Sequence, residues 1–259
     1  MKVAILGAGV FGTALGGILT ENGCDVSYYD PKIYNNALSD VVNGAKYIVL
    51  CVPSDVAPQL LRDIPKNIPL IIATKGFLSG DLFADFDDYM ILSGPGFADD
   101  IKAKKKTKLT STDKQIEKLF TTDYLSFDYT DDERGVLMCG ALKNIYALRS
   151  GLLELEPGTK EFNSYIKNVV NEMKDILEIN GANSHTVDLS CGVGDLEITC
   201  YYPSRNYEFG RILKENPSAK PEKTVESISA LKLIKNGKIK LPESATILNE
   251  LIEISNKWD

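Results

Sequence analysis

The chain has 259 residues, 44% of them hydrophobic and 25% charged, with a net charge of -7 at neutral pH. That length supports one large core or two smaller ones, and the acidic balance excludes a general nucleic-acid binder, which needs a basic face. The five cysteines (Cys24, Cys51, Cys139, Cys191 and Cys200) are odd in number and form no CxxC pair, which predicts reduced thiols in a cytoplasmic protein and neither a disulfide framework nor a metal site.

The opening MKVAILGAG meets a glycine turn too soon for a secretory leader. No apolar run reaches the roughly 18 residues that a membrane span needs, so a protein not integral to a membrane is expected. Residues 2–7 (KVAILG) form a short apolar run closed by glycine, the pattern of a buried parallel strand. Small and apolar residues at helical spacing follow from Thr13 to Leu19, then VSYYD at 26–30 reads as a second strand. YIVLCV (47–52), PLIIAT (69–74) and YMILSG (89–94) predict three more, with short polar or helical stretches such as 55–62 between them. This alternation predicts an α/β fold with a Rossmann-like, mostly parallel sheet. The lysine run Lys104–Lys106 reads as a solvated loop.

The pattern changes after Phe127–Thr130. Helical periodicity is predicted over 132–150, 161–180, 205–214, 225–236 and 243–257, with little strand signal. The expected organisation is a dinucleotide-binding domain over 1–128 and an all-helical substrate domain over 129–259.

Gly7-Ala8-Gly9-Val10-Phe11-Gly12 is a G-x-G-x-x-G directly after the first strand and before a helix. Gly7 permits the tight turn, Gly9 lets the backbone approach a diphosphate, and Gly12 lets helix and strand pack closely. The N–H groups freed at the helix start favour that diphosphate. Asp30 closes the second strand about 20 residues on, where an acid accepts from the adenosine ribose hydroxyls and repels a 2′-phosphate. The expected cofactor is therefore NAD, with NADP as the alternative that the neighbouring Lys32 would admit.

Polar residues also stand where a purely structural chain would not place them. Lys75 follows the fourth strand and Ser93–Ala98 the fifth, both at the carboxyl edge that lines the ligand crevice of open α/β sheets. Lys143 interrupts GVLMCGALKNIYAL, a helix apolar on most faces, and a buried lysine is costly unless paired or useful. Gly192–Asn206 (GVGDLEITCYYPSRN) is too polar for a core helix; it offers Asp195, Thr199, Ser204, Arg205 and Asn206. An arginine fork beside an amide and a hydroxyl suits a small phosphorylated polyol. His185, the one histidine, sits in the loop NGANSHTVDLS and reads as a surface or capping residue.

Several segments together carry a resemblance. GAGVFGTAL, CVPS (51–54), ATKG (73–76), SGPGFA (93–98), GALKNIYAL (140–148), GVGDLEITC (192–200) and SRN (204–206) occur in the order found in NAD(P)-dependent sn-glycerol-3-phosphate dehydrogenases. The chain resembles a compact bacterial-type member, from its first residues to about residue 230. The resemblance implies interconversion of dihydroxyacetone phosphate and sn-glycerol 3-phosphate, supplying glycerophospholipid synthesis, by a homodimer. It implies that Lys143 gives and takes the proton, with Lys75, Asp195 and Thr199 beside the reacting carbon. Lys75, Gly94, Asn144, Asp195, Ser204, Arg205 and Asn206 would line the substrate pocket. Gly7, Gly9, Val10, Phe11, Gly12, Asp30, Lys75, Ala98, Arg205 and Glu226 would meet the cofactor.

The chain departs from the family in four places. The segment after the second strand, PKIYNNALSDVVNGAK, is much shorter; Gly96 stands where the family has Ser or Thr; the Tyr201-Tyr202-Pro203 link is about one residue short; and Ser227 replaces the glycine of a VEG motif. Two other readings stay open at this point. One is a ketopantoate or β-hydroxyacid reductase, which would not be expected to carry SRN after GDLxxTC. The other is a cofactor-binding regulator without turnover, which would tolerate loss of Lys143.

Overall fold

A computed structural model describes residues 1–201 and 204–256. The chain divides into two compact units, Met1–Glu133 and Arg134–Asp259.

The first unit is built on seven strands: β1 (Lys2–Leu6), β2 (Asp25–Tyr29), β3 (Tyr47–Leu50), β4 (Leu70–Ile72), β5 (Tyr89–Ser93), β6 (Thr107–Ser111) and β7 (Leu125–Tyr129). They form one sheet in the order β2-β1-β3-β4-β5-β6-β7. The first five are mutually parallel; β6 runs antiparallel to β5 and parallel to β7. Val3 to Leu6, Ile48 to Leu50 and Leu70 to Ile72 are wholly buried, as expected of central strands covered on both faces. The helices α1 (Val10–Glu21), α2 (Leu38–Val42), α3 (Ala57–Asp63) and α4 (Ala98–Lys102) connect them. One core cluster joins Leu15, Ile18 and Leu19 of α1 to Val3, Ile5, Val49, Ile71 and Met90 of the sheet.

Strands β6 and β7 go beyond the sequence expectation. TKLTS and LSFDY mix polar with apolar residues, and several of their residues are only half-buried or exposed, so neither shows the continuous apolar run that marks β1 or β3. Their pairing is decided by neighbouring strands, β5 for β6 and β6 for β7, which no local pattern announces.

The second unit is helical: α5 (Glu133–Leu153), α6 (Lys160–Ile179), α7 (Asp195–Thr199), α8 (Arg205–Glu215), α9 (Glu226–Lys235) and α10 (Thr246–Ser255). Helix α5 is buried along almost its whole length, Lys143 and Asn144 included. Helix α6 buries Phe162, Tyr165, Ile166, Val169, Met173 and Ile176, a stripe at spacings of three and four. Thr159 caps its start by accepting from the Phe162 N–H at 3.2 Å. Helices α5 and α8 cross at backbone distance. A methyl group on Gly151 would lie 2.0 Å from the Tyr207 carbonyl oxygen, and one on Gly210 would lie 2.1 Å from that of Leu148.

A buried carboxylate secures α10. Glu172 on α6 accepts from the backbone N–H groups of Ile247 at 2.9 Å and Leu248 at 3.0 Å, and from the Tyr146 hydroxyl at 2.9 Å. Two otherwise orphaned donors in the first turn of α10 are satisfied in this way. Burial, offset in part by those donors, raises the Glu172 carboxyl above its ordinary range.

The segment 192–199, read from its sequence as too polar for a core helix, is largely buried. A single π-helical turn, Ser190–Gly194, leads into α7, and Asp195, Leu196 and Thr199 are buried. Tyr202 and Pro203, which hold most of the shortened link, lie outside the described residues.

Candidate functional site

The glycine fingerprint forms the turn between β1 and α1. Gly7 has φ of 102°, a left-handed conformation that only glycine adopts readily. Its N–H donates to the Tyr29 carbonyl at 2.8 Å. A methyl on Gly12 would sit 2.1 Å from the Gly7 carbonyl oxygen, whereas nothing lies within 4 Å of the same position on Gly9. The turn is therefore closed on its protein side and open at Gly9, the arrangement a diphosphate needs at a helix N-terminus. Val10, the first residue of α1, is exposed. Asp30 binds back onto this turn: its Oδ2 accepts from the Ala8 N–H at 3.1 Å and its Oδ1 from the Lys32 N–H at 3.0 Å. The carboxylate is thereby held beside the fingerprint by the backbone.

Lys75, Phe11, Gly96 and Ala98 come together in the same unit. The Lys75 ammonium donates to the Gly96 carbonyl at 3.0 Å and lies 4.4 Å from the centre of the Phe11 ring. That cation–π contact and the hydrogen bond fix the amine over the start of α1. A methyl on Gly96 would already meet the Phe11 ring at 3.2 Å, so this packing leaves little room for the larger Ser or Thr of the family. Ala98 opens α4 and packs against the core cluster. Gly94 has φ of 138° and lies against the backbone of Leu109, so a backbone constraint accounts for the glycine. Cys51, at the end of β3, walls the fingerprint; burial pushes its thiol up to about 12, opposed in part by Lys75.

In the second unit Lys143, Asp195 and Thr199 form one cluster. The Lys143 ammonium donates to Asp195 Oδ2, and both side chains are 2% exposed. The Thr199 hydroxyl donates to the Asp195 carbonyl at 2.5 Å and approaches its Oδ1 at 3.4 Å. A lysine and a carboxylate brought out of water together require close pairing, and α5 and α7 supply it. The nearby thiol of Cys200 is raised by burial, so it is no nucleophile at neutral pH.

A second polar chain begins next to Lys143. Asn144 donates to the Gly140 carbonyl at 2.8 Å, and its Oδ1 accepts from Asn206 Nδ2 at 2.8 Å. Asn206 Oδ1 in turn accepts from the Ser227 N–H at 3.1 Å, capping the first turn of α9. Ser204 is the N-cap of α8, accepting from the Tyr207 N–H at 3.5 Å. Arg205 is exposed, and its Nη1 donates to the Thr224 carbonyl at 3.3 Å. The start of α8 is thus joined to the start of α9 through Asn206 and Ser227, and to the segment before it through Arg205 and Thr224. The caps of α9 and α10 by Asn206 and Glu172 were not legible in the sequence, because each joins residues far apart in the chain.

His185 is exposed, 3.6 Å from Asp188, as its loop suggested. Lys104 and Lys105 pair with Glu21 and Asp100 at the surface. No cluster of metal-ligating side chains occurs among the described residues, and no helix among them is long and apolar enough to cross a membrane.

A family model described as the NAD-dependent glycerol-3-phosphate dehydrogenase C-terminus matches residues 132–257. The glycerol-3-phosphate dehydrogenase [NAD(P)+] of Campylobacter jejuni subsp. jejuni is 31% identical over 241 residues, covering 83% of this chain and 80% of that protein. The Oceanobacillus iheyensis protein of the same name is 28% identical over an alignment of 315 residues that covers all of this chain and 92% of its own. That alignment is longer than the 259 residues here, so the relative carries segments that this chain lacks. Among solved structures, glycerol-3-phosphate dehydrogenase from Coxiella burnetii superimposes with a TM-score of 0.78 at 23% identity, covering 97% of this chain and 94% of that one; at that identity the likeness shows the fold. The chain belongs to the NAD(P)-dependent glycerol-3-phosphate dehydrogenase family.

Proposed function

We propose that the protein interconverts dihydroxyacetone phosphate and sn-glycerol 3-phosphate with a nicotinamide dinucleotide, NAD in preference to NADP. The observation that carries this reading is the buried Lys143–Asp195 pair, with the neighbouring Asn144 bonded to Asn206 at the start of α8, the helix that also carries Arg205. Family membership favours it over a ketopantoate or β-hydroxyacid reductase. Retention of the lysine and its carboxylate speaks against a regulator without turnover.

The bound cofactor supplies or accepts the hydride. The first unit offers a diphosphate seat at Gly9–Gly12 and the Asp30 carboxylate for ribose hydroxyls. In the reducing direction, the Lys143 ammonium hydrogen-bonds the substrate carbonyl and gives up its proton to that oxygen; in the oxidising direction, the amine takes the proton back from the secondary alcohol. Asp195 orients the amine, and Thr199 orients Asp195. The Arg205 fork binds phosphate oxygens bidentately, Ser204 sets the helix start that carries it, and Asn206 fixes that start against α5 and α9. Lys75 adds positive charge beside Phe11 and Gly96 for the anionic substrate and cofactor.

The test is NADH oxidation with dihydroxyacetone phosphate against unphosphorylated dihydroxyacetone. A strong preference for the phosphorylated substrate, lost in Arg205→Ala, is expected; equal rates with both would remove the phosphate assignment. The same reading makes the protein a cytoplasmic homodimer, supported by five free thiols that suit a reducing compartment. Light scattering should return twice the 28.5 kDa chain mass.

A further inference from the structure

Ser227 stands where the family carries glycine, and it brings a hydroxyl to a position with no solvent exposure. Among the described residues, two buried side-chain oxygens have no hydrogen-bond partner in the protein, Ser227 Oγ and Glu208 Oε1. The Glu208 side chain is partly exposed and lies near Arg211, so it can turn to water. The Ser227 hydroxyl has no such outlet. A buried polar group without a partner costs free energy, and the glycine of relatives avoids that cost, so the serine calls for a reason.

The surroundings supply one. Helix α9 starts behind Val225, an N-cap with no side-chain hydrogen bond to its first turn. Asn206 caps it from α8: its Oδ1 accepts from the Ser227 N–H at 3.1 Å, while its Nδ2 donates to Asn144 Oδ1 at 2.8 Å. Arg205, the residue before, donates to the Thr224 carbonyl at 3.3 Å. Two residues expected in the substrate pocket are thus both bonded to the segment 224–227. The buried Asn206 has each end of its amide engaged in this arrangement. It can turn towards a ligand only by releasing a bond, and releasing Oδ1 takes the cap from α9. The Ser227 hydroxyl changes that balance. An amide oxygen can accept from two donors, and a serine hydroxyl rotates to suit its acceptor. Oγ can therefore follow Asn206 Oδ1 through a turn that the fixed N–H cannot.

We propose that Ser227 is a positioning residue for the substrate: its hydroxyl bonds to Asn206 when that amide turns to the phosphorylated substrate, so that binding satisfies an oxygen otherwise left without a partner. This rests on the substrate reading given above. The hydroxyl acts through Asn206 and touches no reacting atom, so it serves binding and not the proton transfer at Lys143. A chain with glycine at this position lacks the second tether.

The test sets Ser227→Ala beside Ser227→Gly. Alanine removes the unpartnered oxygen and favours the helix, so urea unfolding should find that variant at least as stable as wild type. Glycine, the poorer helix former, should be the less stable of the two. Both lack the hydroxyl, so both should raise the KM for dihydroxyacetone phosphate by about tenfold, the scale of one buried hydrogen bond. The kcat should change little, as for an interaction made equally in the ground and transition states. The rise in melting temperature produced by a fixed concentration of sn-glycerol 3-phosphate, a readout without turnover, should shrink in both. An unchanged KM with an unchanged thermal shift, a loss confined to kcat, or a KM that tracks stability between the two variants would overturn the positioning role and leave the substrate reading standing. Wild-type protein that neither oxidises NADH with dihydroxyacetone phosphate nor is stabilised by sn-glycerol 3-phosphate would overturn both.

Discussion

Lys143 on α5 and Asp195 at the start of α7 form a buried ion pair across 52 residues of sequence, each side chain 2% exposed. Removing one partner of such a pair leaves an uncompensated charge, at a cost of about 3–5 kcal/mol. Lys143→Met should therefore abolish turnover and also lower stability on that scale, with Asp195→Asn similar in direction. The double change Lys143→Met with Asp195→Leu should recover much of the stability and none of the activity. Chemical denaturation and NADH oxidation, measured on the same preparations, separate the two effects.

At the fingerprint, Gly12→Ala places a methyl 2.1 Å from the Gly7 carbonyl oxygen, a backbone atom with little freedom to yield. The turn must open, and the N–H groups aimed at the diphosphate lose their common direction. NADH affinity, followed by nicotinamide fluorescence, should fall by at least about tenfold, the equivalent of 1.4 kcal/mol. Gly9→Ala meets open space in the free protein and should be milder for folding than for cofactor binding.

The crossing of α5 and α8 depends on Gly151 and Gly210. Alanine at either site would drive a methyl to about 2 Å from the backbone of the other helix. Overpacking typically costs 1–3 kcal/mol, and a rigid backbone contact belongs at the upper end, so about 3 kcal/mol is expected from urea unfolding. Because α8 carries Arg205 and Asn206, the KM for dihydroxyacetone phosphate should rise as well.

The pH dependence of stability should carry a signature of Glu172. Burial holds its carboxyl above the ordinary value of 4.5, so the folded state keeps the proton more tightly than the unfolded chain does. The associated stability is fully present below pH 4.5 and is lost as pH rises through the higher folded value. Glu172→Gln removes this titration. The difference between wild-type and variant melting temperatures should shrink as pH rises from 4.5 and level off once the carboxylate is ionised. A constant difference between pH 4.5 and 7 would contradict the assignment.

The central strands, the helical second half and the fingerprint were readable because each signal is local: apolar runs for buried strands, a repeat of 3.6 for helices, glycines where a turn must approach a phosphate. Lys143 was conspicuous for the same reason, a charge inside an apolar helix. The strands β6 and β7 were missed because their pairing is set by the neighbouring strand more than by their own composition. The segment around Asp195 read as too polar for a core helix because its polar residues find partners only in the folded chain.

Local patterns along the chain specify a dinucleotide-type sheet before a helical half, and which residue types each half has for anions, proton transfer and ribose. Tertiary structure alone decided which of those groups meet. Lys143 finds Asp195, Asn144 finds Asn206, and Asn206 finds the start of α9 at Ser227. Propensity and hydrophobic period act over a few residues, whereas the partner of a buried charge or amide is chosen by the packing of helices far apart in the chain, where an unpaired polar group costs more than any local preference can return.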